Sequence, residues 1–222
     1  ETAPKKIYAA LKQLSAYIHF SVMEEKSSIW IAQREGRAKD GVDRTEEAII
    51  KMFAMSKPKE QALADFVREL NIVPVSISYE WDPCDLAKAR ELQQKAALGS
   101  YQKETHEDVQ SIAMGIAGSK GRVHVSFGDV LRGDYASTEA VAEEIDRQIL
   151  ANYVCFPSNY LAAEQLGWDV SGTYGFPARP FHGANVAAEK ALFQQRMVQC
   201  PESDLPYWLA MYANPVKNAC SK

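Results

Sequence analysis

The sequence predicts an α/β fold: a mostly parallel sheet flanked by helices, with a helical C-terminal region. Three observations lead there. Ser28–Gln33, Asn71–Trp81 and Arg122–Gly128 are rich in apolar or β-branched residues, and the last two alternate in polarity. Stretches of helical periodicity separate them, and strands alternating with helices form parallel sheets. From Thr138 onward only helical periodicity recurs. We divide the chain into an α/β part, 1–135, and a helical region, 136–222, packed on it.

The elements follow in order. Lys6–Glu24 carries Ile7, Leu11, Leu14, Ile18 and Val22 at helical spacing, which predicts an amphipathic helix. The strand Ser28–Gln33 comes next. Thr45 is placed to cap a helix over Ala48–Met55, with Glu46 and Glu47 at its positive end. Pro58 opens a helix over Lys59–Leu70, with Ala62, Leu63, Phe66 and Val67 inward. In Asn71–Trp81, Val73, Val75, Ile77 and Tyr79 alternate with smaller or polar residues. Pro74 has no N–H to give a ladder, so it belongs at a strand start or edge. Asp82–Asp85 turns into a helix over Leu86–Ala97, which Gly99 ends; Glu104–Ile116 is another helix, with Val109, Ile112 and Ile116 on one face. Gly118–Gly121 is a turn before the strand Arg122–Gly128. Thr138–Leu150, Ser158–Leu166, Ala184–Gln199 and Leu205–Tyr212 complete the helices, around a glycine- and proline-containing loop, Gly167–Gly183. Three strands are few for 222 residues, since sheets average about 5–6. Together with the absence of a starting Met, this predicts that residues precede Glu1.

Hydrophobic residues make up 46% and charged residues 24%, the balance of a globular chain. The net charge of −4 excludes a polyanion binder acting through overall charge, and we expect no nucleic-acid partner. Cys84, Cys155, Cys200 and Cys220 form no C-x-x-C pair and no grouping with histidine, so they read as reduced structural thiols and no metal is expected. No apolar run approaches the roughly 20 residues that span a bilayer. There is no P-loop and no dinucleotide fingerprint.

The most informative stretch is Ser27–Gly41. An apolar run, Ile29–Ala32, ends in a charged loop holding Arg34, Glu35, Gly36, Arg37, Lys39 and Asp40. Ligands of open α/β sheets sit at the carboxyl ends of strands. Guanidinium forks match phosphate oxygens, and glycine lets the backbone approach a ligand. The alternative is a solvated turn whose charges pair with one another.

These residues resemble the glycerol-phosphate acyltransferase family, which includes bacterial 1-acyl-sn-glycerol-3-phosphate acyltransferases. Trp30–Gly41 (IWIAQREGRAKDG with Ile29) resembles the family's F-P-E-G-T-R-S block, with Glu35–Gly36 at E-G and Arg37-Ala38-Lys39 where Thr-Arg-Ser is usual. Ile72-Val73-Pro74-Val75 resembles the block V-P-[IV]-x-[IV]. Glu107–Ser111, Lys120–Gly128, Ile145–Ile149 and the terminal Tyr212-Ala213-Asn214-Pro215-Val216 are similar to a proteobacterial branch. The resemblance implies transfer of a fatty acyl group from acyl-CoA or acyl-carrier protein to a (lyso)glycerol phosphate, with those thioesters as co-substrates and no other cofactor. Residues 1–135 would then be the C-terminal part of the acyltransferase domain. Arg34, Glu35, Gly36, Arg37, Lys39, Val73 and Pro74 would bind substrate. The implied setting is peripheral, on the cytoplasmic side of the inner membrane, with the membrane surface as a partner.

The family's catalytic H-x-x-x-x-D block should precede the E-G loop, and no residue of this chain fills it. The resemblance places that His and Asp upstream of residue 1. His19 and Glu24 have the spacing with the wrong acid. His124 and Asp129 match fully but follow the V-P block, reversing the family order, and five positions along a strand put two side chains on opposite faces. His106 and His182 read as surface or loop residues. The four tryptophans read as core and interface anchors. A non-catalytic lipid- or protein-binding domain of the same origin is the alternative function.

Overall fold

The computed structural model describes residues 3–32, 38–170 and 185–220. The helices lie close to their predicted positions: α1 (Ala3–Met23), α2 (Glu47–Phe53), α3 (Leu63–Leu70), α4 (Asp85–Leu98), α5 (Glu107–Ala117), α6 (Thr138–Asn152), α7 (Pro157–Gln165), α8 (Val186–Met197) and α9 (Leu205–Cys220). A 3-10 turn, Ala54–Ser56, extends α2. Asn71 closes α3 in the left-handed conformation, φ 50°, which asparagine tolerates.

The predicted parallel sheet does not form. Among the described residues there are two strands, β1 (Val75–Tyr79) and β2 (Val123–Phe127), and they form one two-stranded sheet. They run antiparallel: Gly128 N donates to Pro74 O at 2.8 Å, and Glu80 N to Arg122 O at 2.9 Å. Residues 28–32 of the predicted first strand join no sheet, and Trp30 is exposed rather than a core anchor. Alternation marks a segment as extended, but it fixes neither the partner nor the direction of pairing. The two strands are antiparallel and no third strand occurs among the described residues, so there is no parallel pair, and the described residues are mostly helical. Pro74 does stand at the strand start, with its carbonyl in the ladder.

The sheet's faces also invert the expectation from polarity. Ser76 and Ser78 are buried, whereas Val123, Val125 and Phe127 are exposed. Ser78 and Glu80 are wired to their surroundings on the buried side, while the Ser76 hydroxyl has no hydrogen-bond partner among the described residues. Ser78 Oγ accepts from Val154 N at 3.0 Å, and Ser158 Oγ donates to Glu80 O at 2.7 Å.

The chain divides into two compact units. The first holds Glu1–Arg37, Asp43–Ser76 and Phe127–Asn152. Its core joins Ile50, Val67, Leu131, Val141, Ala142 and Ile145. The Ser15 hydroxyl donates to Phe53 O at 2.7 Å and ties α1 to the end of α2. Thr45 does not cap α2; its backbone N–H donates to Asp146 Oδ1 at 2.7 Å. His19 stacks on Phe66 with ring centroids 5.6 Å apart.

The second unit holds Ala38–Val42, Ile77–Ser126 and Tyr153–Lys222. Its core is aromatic: Trp81, Phe193, Trp208 and Tyr212 pack with Ala89, Leu161 and Ala213. The Trp208 and Tyr212 rings meet edge to face at 4.9 Å, a geometry the ring quadrupoles favour. Asn159 locks α7 onto α9: its Oδ1 accepts from Phe156 N at 2.7 Å, and its Nδ2 donates to Tyr212 O at 2.8 Å.

Candidate functional site

Arg34, Glu35, Gly36 and Arg37 lie outside the described residues, as does most of the predicted loop Gly167–Gly183 with His182. The exit of the charged loop, Ala38–Val42, is described, and two contacts clamp it. Lys39 Nζ donates to both carboxylate oxygens of Glu91 on α4, each at 2.6 Å. Lys95, one turn further along α4, donates to the same carboxylate at 2.6 Å. On the other side, Asn214 Nδ2 donates to Asp40 O at 2.7 Å, and Asp40 Oδ1 accepts from Val42 N at 3.0 Å.

Gly41 completes the clamp. It sits at φ +75°, where a side chain is strained. A Cβ there would lie 2.2 Å from the Met211 carbonyl oxygen. That oxygen is available because Pro215, inside α9, has no N–H to bond the carbonyl four residues back. Thus Asp40 and Gly41 of the charged loop seat on Met211, Asn214 and Pro215. The structure brings together two stretches that the sequence singles out independently.

Burial opposes the Glu91 charge, but the hydrogen bonds from Lys39 and Lys95 outweigh it and lower the carboxyl pKa below its ordinary 4.5. The folded value is below the unfolded one. The pair therefore stabilises the fold above about pH 4.5, and that contribution disappears as pH falls through the folded value. We expect Lys39→Met to flatten the fall of the urea midpoint between about pH 5 and pH 3. An unchanged acid slope would contradict it.

Val73 and Pro74 belong to the first unit and Lys39 to the second. Val73 is partly exposed at the entry to β1. His124 belongs to the second unit and Asp129 to the first. Asp129 is held through its backbone N–H, which donates to Gln148 Oε1 at 2.7 Å.

Sequence reasoning missed a buried carboxylate cluster in the second unit. Asp85, in the first turn of α4, is 4% exposed. Its Oδ1 accepts from Leu86 N at 2.8 Å. Its Oδ2 accepts from Arg196 Nη2 at 3.0 Å, Trp208 Nε1 at 2.9 Å and Tyr212 OH at 2.8 Å. The Tyr212 hydroxyl also accepts from Asp82 N at 2.9 Å. Burial first, and then the Asp85 charge, hold the Tyr212 phenol well above its usual pKa, so it stays a donor. The Arg196 guanidinium lies 4.7 Å from the Trp81 ring centroid, a favourable cation–π contact. Four donors hold the carboxylate of Asp85, which is 4% exposed. The cluster therefore binds α4, α8 and α9 together and offers no acid or base to a substrate. Only the D-P-C-D turn at the head of α4 hinted at it.

The neighbouring thiols are not activated. Burial and then Asp82 raise Cys84 above its ordinary pKa, and burial and then Asp204 push Cys200 up to about 11. A nucleophilic cysteine needs the opposite shift. No group of three or more metal-ligating side chains occurs among the described residues. Comparison of the chain with protein-family models, with curated proteins and with solved structures gave no match.

Proposed function

We propose that this chain carries the acceptor-binding half of a phospholipid-biosynthesis acyltransferase. The reaction moves a fatty acyl group from an acyl-CoA or acyl-carrier-protein thioester to a glycerol-phosphate hydroxyl. The seat of Asp40–Gly41 on Asn214–Pro215 is the observation that carries the reading. It joins the end of the loop that resembles the family's E-G block to the terminal block that also resembles the family, and it gives that loop a rigid exit. Arg34 and Arg37 neutralise the acceptor phosphate with their guanidinium forks. Lys39 adds positive charge while anchored on Glu91. Glu35 holds acceptor hydroxyls, Gly36 admits the backbone, and Val73 and Pro74 line the acyl path. The general base is the family's His, polarised by its Asp, which takes the proton of the attacking hydroxyl; these 222 residues do not supply it. The enzyme works against the cytoplasmic face of the membrane as a peripheral protein. The test is kinetic, in the protein that contains this chain. Arg37→Ala should raise the acceptor KM at least tenfold and leave the donor KM unchanged; equal changes in both would refute the role.

One observation favours a second reading, a non-catalytic lipid-binding domain. Across Ala3–Met23, α1 carries Lys5, Lys6 and Lys12 and no acidic residue. Its Ile7, Tyr8, Leu11 and Leu14 are exposed. A basic helix with an open apolar stripe suits an anionic lipid surface. No helix among the described residues is long and apolar enough to cross a membrane.

A further inference from the structure

We propose that β2 is a self-pairing edge, through which two copies of this chain join their sheets into one four-stranded antiparallel sheet. The inference rests on the strand register and is independent of the acyltransferase reading. Gly128 and Arg122 both bond β1, through Gly128 N to Pro74 O and Glu80 N to Arg122 O. The two contacts are an even number of residues apart on each strand, so the register runs without a bulge. In an antiparallel pair, alternate residues direct both N–H and C=O to the same neighbour. Val123, Val125 and Phe127 therefore turn their backbone groups away from β1, toward the other edge. Among the described residues no strand lies on that edge. From the described residues, no hydrogen bond of another element reaches the backbone of these three residues. Their side chains are 48%, 48% and 69% exposed.

The edge is built to match itself. A two-fold axis through Val125 places Val125 opposite Val125 of the second copy and Val123 opposite its Phe127, with all three as hydrogen-bonded pairs. His124 then faces Ser126. Val123–Phe127 contains no Asp, Glu, Lys or Arg, so no like charges meet across the axis, and the edge lacks the lysines or prolines that normally discourage pairing. Aromatic–β-branched and β-branched pairs stabilise cross-strand contacts. A two-stranded sheet alone is marginal in water, whereas three or more strands hold. This favours a second copy of β2 over an unrelated peptide, which would have to bring its own complement.

The experiment is sedimentation of the chain at about 0.1 mM, far above a micromolar Kd, with three variants. The wild type should sediment as a dimer. Val125→Lys sets two ammonium groups opposite one another on the axis and should weaken association at least 100-fold while leaving the circular dichroism of the monomer unchanged. Val125→Cys should cross-link to its copy under mild oxidation, because hydrogen-bonded partners have Cα atoms about 5.5 Å apart, within disulfide reach. Val123→Cys should not, because its copy would lie about 14 Å away at roughly 3.4 Å per residue. A monomeric wild type, a Val125→Lys dimer as tight as wild type, or equal cross-linking of the two cysteine variants would each overturn the proposal.

Discussion

Asp85→Ala is expected to destabilise the protein by about 3 kcal/mol or more. The substitution removes the acceptor shared by Arg196, Trp208 and Tyr212. It leaves a largely buried guanidinium without its counter-charge, which costs several kcal/mol, and it orphans a buried indole N–H and a buried phenol. Asp85→Asn keeps an acceptor oxygen and loses the charge, so it should cost less. Pairing Asp85→Asn with Arg196→Met removes both ionic partners and should recover part of that loss, because a well-packed apolar replacement of a buried ion pair is often neutral. Urea unfolding followed by the fluorescence of Trp208, which is fully buried, reads these differences. A loss below about 1 kcal/mol for Asp85→Ala would mean that the aromatic packing of α9, and not the carboxylate, holds the second unit together.

Gly41→Ala is the second large effect. The left-handed conformation costs a residue with a Cβ about 1–2 kcal/mol. The methyl group must also displace a helix carbonyl 2.2 Å away, and overpacking of that kind costs about 1–3 kcal/mol more. The neighbour is backbone, so it cannot rotate aside. The expected result is a total loss of about 2–5 kcal/mol, together with weaker binding of glycerol phosphate as the loop leaves its seat. An Asn214→Ala variant breaks only the hydrogen bond to Asp40 and should fall between wild type and Gly41→Ala. Unchanged stability in Gly41→Ala would remove the clamp from the account.

The helices were legible because their information is local. The spacing of Leu63, Phe66 and Val67 and the glycine after Leu98 are enough to place α3 and α4 to within a few residues. The strands were legible as segments only: Val75–Tyr79 and Val123–Phe127 are where alternation puts them, but alternation is silent on direction. The expected parallel sheet is therefore replaced by one antiparallel pair. The polar face of β1 lies inside because Ser78 and Glu80 have partners more than 70 residues away, which no periodicity encodes. The site shows the same limit. Gly41 is visible as punctuation, yet its reason, the Met211 carbonyl freed by Pro215, lies at the far end of the chain. The Asp85 cluster joins residues separated by 111 to 127 positions and leaves no motif. Lys39 reads in the sequence as one of three cations of the loop; its partner Glu91, 52 residues on, appears only once α4 is in place.

The central claim, that the loop after Ala32 holds an acceptor phosphate, is tested most directly by calorimetric titration of the 222-residue chain with glycerol 3-phosphate. The account predicts binding tighter than that of inorganic phosphate, weakened at least tenfold, about 1.4 kcal/mol, by Arg34→Ala and by Arg37→Ala, and unaffected by Lys59→Ala. Equal affinity for the two ligands, or arginine variants that bind as well as wild type, would contradict it.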